Sequence, residues 1–112
     1  MHRRRHYLGS FEVMVLLAIL RLDEDAYGVP ICAELEAETG HDIAVASVYA
    51  ALQRLEDKDL VTSWFGDPTP QRGGRAKKFF KVTGKGVREL RNTQRALTRL
   101  WREVPQLEGG TT

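Results

Sequence analysis

The stretch VASVYAALQRLEDKDLVTSWF, residues 45–65, decides how this chain is read. Val48, Leu52 and Leu55 recur at i, i+4 and i+7, the spacing that lines one face of a helix. The spacing predicts a helix from Val45 to about Lys58, closed by Asp57-Lys58-Asp59. From Leu60 the pattern changes. Val61, Thr62 and Trp64 favour an extended strand running to Phe65. With the apolar stripe turned inward, a step of about 100° per residue places Ala46, Ala50 and Gln53 outward, with Ser47, Tyr49 and Arg54 on the flanks.

Upstream, Ser10 is a suitable N-cap for a helix from Phe11 to about Leu22. Val13 to Leu20 is an unbroken apolar run, so most of that helix's circumference must be covered. Asp23-Glu24-Asp25 is a turn, and a second helix follows from about Tyr27 to Thr39, with Pro30 in its first turn, Ile31 and Leu35 on its buried stripe and Gly40 as its stop. Downstream, Gly66 to Gly74 is a loop rich in Gly and Pro, and Ala76 to Val82 is a second strand. Thr83 caps a last helix that continues to about Val104. The expected fold is mainly α with a small β-hairpin: a winged helix-turn-helix plus a C-terminal dimerisation helix. The expected divisions are a flexible basic arm (1–8), the winged helix-turn-helix (9–83), the dimerisation helix (84–104) and a disordered tail (105–112).

The chain has 112 residues, the size of one domain. Its net charge is only +2, so the placement of charge matters more than its total. The longest apolar run is far short of the roughly 18 residues that suggest a membrane span. Glu12 interrupts the stretch behind the basic N-terminus, which speaks against a signal peptide. A single cysteine, Cys32, excludes an internal disulfide and suits a reducing cytoplasm, which is the expected location. Cys32 is read as a packed small residue. His2 and His6 are spaced i, i+4 in the N-terminal arm and His41 stands alone, so no metal site is expected. No phosphate-binding loop or nucleophile motif is present, and neither an enzyme nor a cofactor is expected.

Three constellations bear on function. Arg72, Arg75, Lys77, Lys78 and Lys81 lie between positions 72 and 81 with no acid among them. A hairpin tip loaded this way suits a phosphate backbone or a narrow minor groove, although lysines also protect the edge of a solvated hairpin. The outer face of the third helix combines Ala46 and Ala50 with Ser47, Tyr49, Gln53 and Arg54. Small residues let a helix sit deep in a major groove, where Gln suits adenine and Arg suits guanine. In the last helix, Val87, Leu90, Gln94, Leu97, Trp101 and Val104 follow a heptad seam with one polar position. That seam points to a homodimer joined through the terminal helices, with Phe11 and Val15 of the first helix in the interface. Packing on the chain's own first helix is the other use of the stripe. Arg88, Arg91, Arg95, Arg99 and Arg102 line other faces and are read as solvated. Double-stranded DNA and a second copy of the chain are the expected partners. A protein–protein adaptor and a ligand sensor with secondary DNA affinity are the alternatives.

Several ordered segments also match a family. Ala26-Tyr27-Gly28, Val48-Tyr49 with Leu52 and Arg54-Leu55-Glu56, Leu60-Val61, and Gly73-Gly74-Arg75 through Phe80, Val82-Thr83 and Gly86 together resemble the PadR family of bacterial transcriptional regulators. The similarity spans about residues 8–104, and the single C-terminal helix resembles the short subfamily. The resemblance implies a homodimer that binds a palindromic operator, usually as a repressor, with the third helix in the major groove and the wing on the backbone. It also implies small effectors, among them phenolic acids and planar hydrophobic drugs. Trp101 is the candidate to stack on such a ligand; packing in the seam is its other role. The sequence departs from the family pattern at Ala44, where a Ser or Thr cap is usual, and at Asp59, where Gly is common. The missing cap weakens the helix start by about 0.5–2 kcal/mol, and Asp still tolerates the left-handed turn.

Overall fold

The computed structural model describes residues 7–67 and 76–108. Helix α1 spans Ser10–Leu22, a short 3-10 turn spans Asp23–Asp25, α2 spans Gly28–Thr39 and α3 spans Val45–Asp57. Strands β1 (Val61–Phe65) and β2 (Lys78–Val82) follow, then α4 (Gly84–Trp101). Most boundaries follow local chemistry. Gly40 adopts φ 73°, and its N–H donates to the Glu36 carbonyl at 2.9 Å, which stops α2. Asp59 takes φ 63° after α3, and the Leu60 N–H returns to the Leu55 carbonyl at 2.9 Å. Thr83 caps α4, its Oγ1 accepting the Gly86 N–H at 3.0 Å.

Two boundaries differ from expectation. Helix α1 begins at Ser10 with Gly9, not Ser10, as its cap. The cause is Glu12, whose Oε1 accepts the Gly9 N–H at 3.2 Å and draws the helix start back by one residue. Helix α4 ends at Trp101. Glu103 turns left-handed at φ 56°, so Val104 lies in the turn beyond the helix and off its seam.

The core forms where α1, α2 and α3 meet the hairpin. Leu16, Ile31, Val48, Leu52 and Leu55 are buried, with Val61, Phe80 and Val82 closing one side. The hairpin is antiparallel, with Val61 opposite Val82 and Phe65 opposite Lys78. It is anchored by the chain between α1 and α2. The Phe80 N–H donates to the Ala26 carbonyl at 2.8 Å, and Tyr27 forms a single bridge to Phe79. The wing is thus tied to the start of α2, a link between segments about fifty residues apart in the chain.

Helix α4 is set apart from this body. The radius of gyration is 16.7 Å, against about 13 Å for a compact chain of this length. Gly86 and Thr93 are the buried residues of α4, while Leu97, Leu100 and Trp101 are exposed. Leu8, counted with the N-terminal arm by sequence, packs against the core, and its N–H lies 3.4 Å from Thr93 Oγ1. Among the described residues, no helix is long and apolar enough to cross a membrane.

Candidate nucleic-acid interface

Helix α3 presents its outer face as the spacing requires. Val48, Ala51, Leu52 and Leu55 are buried, while Ala46, Ser47, Tyr49, Ala50, Gln53 and Arg54 are exposed. Ala46 and Ala50, four positions apart on this face, carry nothing beyond a methyl group, so another surface can approach the helix backbone closely there. Ala44 caps α3 without a side-chain bond. The Ser47 and Val48 N–H groups instead reach the Ala44 carbonyl.

The flanking residues are held in different ways. Tyr49 leans across the start of α2, and a Cβ at Gly28 would overlap its hydroxyl. Gly28 is therefore the residue that lets Tyr49 lie there, which gives the Ala26-Tyr27-Gly28 stretch a physical reason. Gln53 Nε2 donates to Asp57 Oδ1 at 3.0 Å, one turn along its own helix. Arg54 Nε lies 3.8 Å from Glu12 Oε2, while Lys58 Nζ lies 2.9 Å from the same oxygen. Burial alone would raise the Glu12 pKa. The Lys58 hydrogen bond, the Gly9 N–H and the charges of Lys58 and Arg54 outweigh it, so the net shift is downward and the carboxylate stays ionised. Nothing in the local sequence pattern marks this role, because Glu12 lies 42 positions from Arg54. A lone acid beside the apolar run of α1 was the available signal.

Of the three described lysines of the wing, Lys81 is exposed, and Lys77 and Lys78 face opposite ways. Lys78 points toward α3, with Nζ 3.9 Å from Glu56 Oε1, and Glu56 also accepts the Ser63 hydroxyl at 2.6 Å. Lys77 lies on the other face, 4.7 Å from the Tyr27 ring centroid. On that face Phe79 meets Tyr27 edge-on at 5.4 Å and stacks on Trp64 at 5.9 Å, which stiffens the base of the wing. Arg72 and Arg75 lie outside the described residues, as do His2 and His6. The Cys32 thiol is buried and donates to the Ile43 carbonyl at 3.3 Å; burial, then the nearby Glu36 charge, pushes its pKa up.

The terminal helices form a separate apolar surface. A groove of about 690 Å³ runs between α1 and α4, with Leu17, Leu20, Leu97 and Trp101 in its lining. Val87, Leu90 and Gln94 also line it, as the heptad spacing suggested. Phe11 and Val15 do not. Val15 is fully buried within the single chain, and Phe11 lies beside Ala44, Ser47 and Ala50 on the α3 side. The apolar stripe that α1 presents to the groove is Val13, Leu17 and Leu20, spaced i, i+4, i+7. An unbroken apolar run does not reveal which of its faces turns outward.

Three helices, a hairpin tied to the second helix, and an exposed small-residue face on the third define a winged helix-turn-helix protein of the DNA-binding type. Residues 16–92 match the Transcriptional regulator PadR-like family, and the chain belongs to that family. It is 30% identical over 101 residues to an uncharacterized protein of Lysinibacillus sphaericus, covering 88% of this chain and 84% of that one. Its structure is similar to a PadR family transcriptional regulator from Eggerthella lenta, at 27% identity and a TM-score of 0.66, with 88% and 84% of the two chains covered. A PadR family transcription regulator from Clostridium difficile shares the fold at 24% identity and a TM-score of 0.68, with 90% of this chain and 100% of that chain covered. The chain is accordingly a transcriptional regulator, a class that works by binding DNA and not by catalysis.

Proposed function

We propose that the protein is a homodimeric repressor that binds a palindromic operator. The observation that carries this reading is the outer face of α3, where Ala46 and Ala50 leave the helix backbone approachable and Ser47, Tyr49, Gln53 and Arg54 ring it with donors. In a major groove, Ala46 and Ala50 meet thymine methyl groups, Gln53 and Arg54 reach base edges, and Ser47 and Tyr49 bond phosphates. Gln53 must leave Asp57 to do so, a small cost for an exposed pair. Arg72, Arg75, Lys77 and Lys78 hold the backbone through the wing. A second copy covers the α1/α4 groove and places two α3 helices about one helical turn apart, roughly 34–36 Å. Repression needs nothing more than occupancy of the operator.

The groove also favours a small planar hydrophobic effector, with Trp101 as the stacking surface. Its lining is largely apolar, with an exposed indole near one end. Quenching of Trp101 fluorescence by a planar aromatic dye tests that part.

The DNA reading is tested by salt titration of operator binding. Removing one cation that neutralises a phosphate flattens the plot of log K against log salt by about 0.9. Replacing Arg75 and Lys77 with Ala should therefore reduce the slope by nearly two and weaken binding to all sequences alike. An unchanged slope would refute the placement of the wing.

A further inference from the structure

We propose that Glu12 is a positioning residue for DNA recognition: it orients Arg54 and limits how strongly that arginine binds DNA of the wrong sequence. The inference rests on the reading that α3 enters the major groove. Glu12 sits at the foot of α3 with only 10% of its side chain exposed, whereas the Arg54 side chain is 53% exposed. The carboxylate is fixed from two sides before Arg54 is considered. Its Oε1 accepts the Gly9 N–H at 3.2 Å, and its Oε2 accepts Lys58 Nζ at 2.9 Å. Arg54 approaches the same Oε2 through Nε at the longer distance of 3.8 Å.

That arrangement divides the guanidinium. Its Nε edge faces the protein, and its two terminal amino groups remain for a ligand. A guanidinium drawn on its Nε side toward a fixed carboxylate keeps its end free for a fork to the O6 and N7 of one guanine. Arg54 stands in the last turn of α3 and borders a shallow cavity of about 430 Å³ shared with Asp42, Ser47 and Ala50 on the outer face of that helix.

Charge leads to the same result. Glu12, Lys58 and Arg54 together carry one net positive charge. Without the carboxylate's charge they carry two, and both side chains are exposed enough to reach phosphates. Glu12 thus holds down sequence-independent attraction while it keeps Arg54 aimed, so its contribution is to discrimination more than to affinity.

The test uses the full-length protein, an operator duplex selected on the wild type, and a scrambled duplex of equal length and composition, each titrated at several salt concentrations. Glu12→Gln keeps an acceptor for the Gly9 N–H but drops the charge. It should bind the scrambled duplex more tightly, with a salt slope steeper by up to about 0.9. The operator-to-scrambled affinity ratio should fall by about tenfold, the scale of one base contact. In an Arg54→Ala background, Glu12→Gln should leave the ratio unchanged. A ratio untouched by Glu12→Gln while Arg54→Ala lowers it overturns the inference alone. An equal loss with or without Arg54 overturns it as well, because Glu12 would then act through the fold. If Arg54→Ala itself leaves the operator affinity and ratio intact, the α3 contact proposed above fails, and the inference with it. Lys58→Gln, a substitution at an exposed site, covers the case in which Glu12→Gln does not fold. It leaves Arg54 as the carboxylate's one cation and should preserve the ratio, whereas a loss matching that of Arg54→Ala would overturn the proposal.

Discussion

Replacing either of two glycines in the first turn of α4 by alanine should have opposite effects on stability. Gly84 is exposed, and the nearest atom to an added Cβ is Arg88 Nη1, at 3.6 Å on a mobile side chain. Gly84→Ala therefore meets ordinary contact and gains from reduced backbone freedom in the unfolded chain, by at most about 1 kcal/mol. Gly86 is buried where α4 crosses the end of α3 and the start of β1. A Cβ there would overlap the Leu60 carbonyl oxygen and come within 2.7 Å of Val82 Cγ1. The Leu60 carbonyl cannot easily retreat, since it also accepts the Thr83 N–H at 3.0 Å. Overpacking of this kind costs about 1–3 kcal/mol. Set against the same backbone gain, Gly86→Ala should destabilise by about 1–2 kcal/mol, leaving the two alanine variants roughly 2 kcal/mol apart. Urea denaturation at one fixed protein concentration measures this, since association would otherwise move the midpoint. With a slope of about 1–3 kcal/mol per molar, the midpoints should differ by roughly 1 M. A Gly86→Ala protein as stable as Gly84→Ala would refute the close crossing of α4 over Leu60.

Three further outcomes follow from the same geometry. Glu12 has a folded pKa below its unfolded value of 4.5, so its contribution to stability is present above that pH and is lost as the pH falls through the folded value. A Glu12→Gln protein should show a flatter decline in thermal stability with acid over that window, and a decline parallel to wild type would contradict the assignment. Thr83→Val removes both the cap to the Gly86 N–H and the 2.7 Å bond to the Asp59 carbonyl, and should cost about 1–2 kcal/mol in urea unfolding. Leu97→Glu should leave the single chain intact, because Leu97 is half exposed there, yet shift sedimentation toward a monomer and weaken operator binding. A Leu97→Glu protein that sediments as the wild type would argue against association through α4.

Short-range pattern was enough to reveal the helix-helix-helix-hairpin-helix order, because a buried stripe or an alternating strand is written within a dozen residues. Val48, Leu52 and Leu55 turned inward as their spacing requires, and Ala46, Ala50 and Gln53 outward. The same logic had less to work with in α1, where consecutive apolar residues give no contrast between faces. There Val13, Leu17 and Leu20 line the groove beside α4, whereas Val15 is buried in the core and Phe11 lies against the α3 side. At Val104 the heptad continues in sequence, but the backbone leaves the helix at Arg102.

Long-range contacts decided the rest. The Ala26 carbonyl receiving the Phe80 N–H, the Tyr49 hydroxyl lying over Gly28, and Glu12 held between Lys58 and Arg54 each join segments more than twenty residues apart. Periodicity reports which side of an element avoids water. It carries no information about which distant partner waits there, and that pairing arises only when the three helices and the hairpin close on one another.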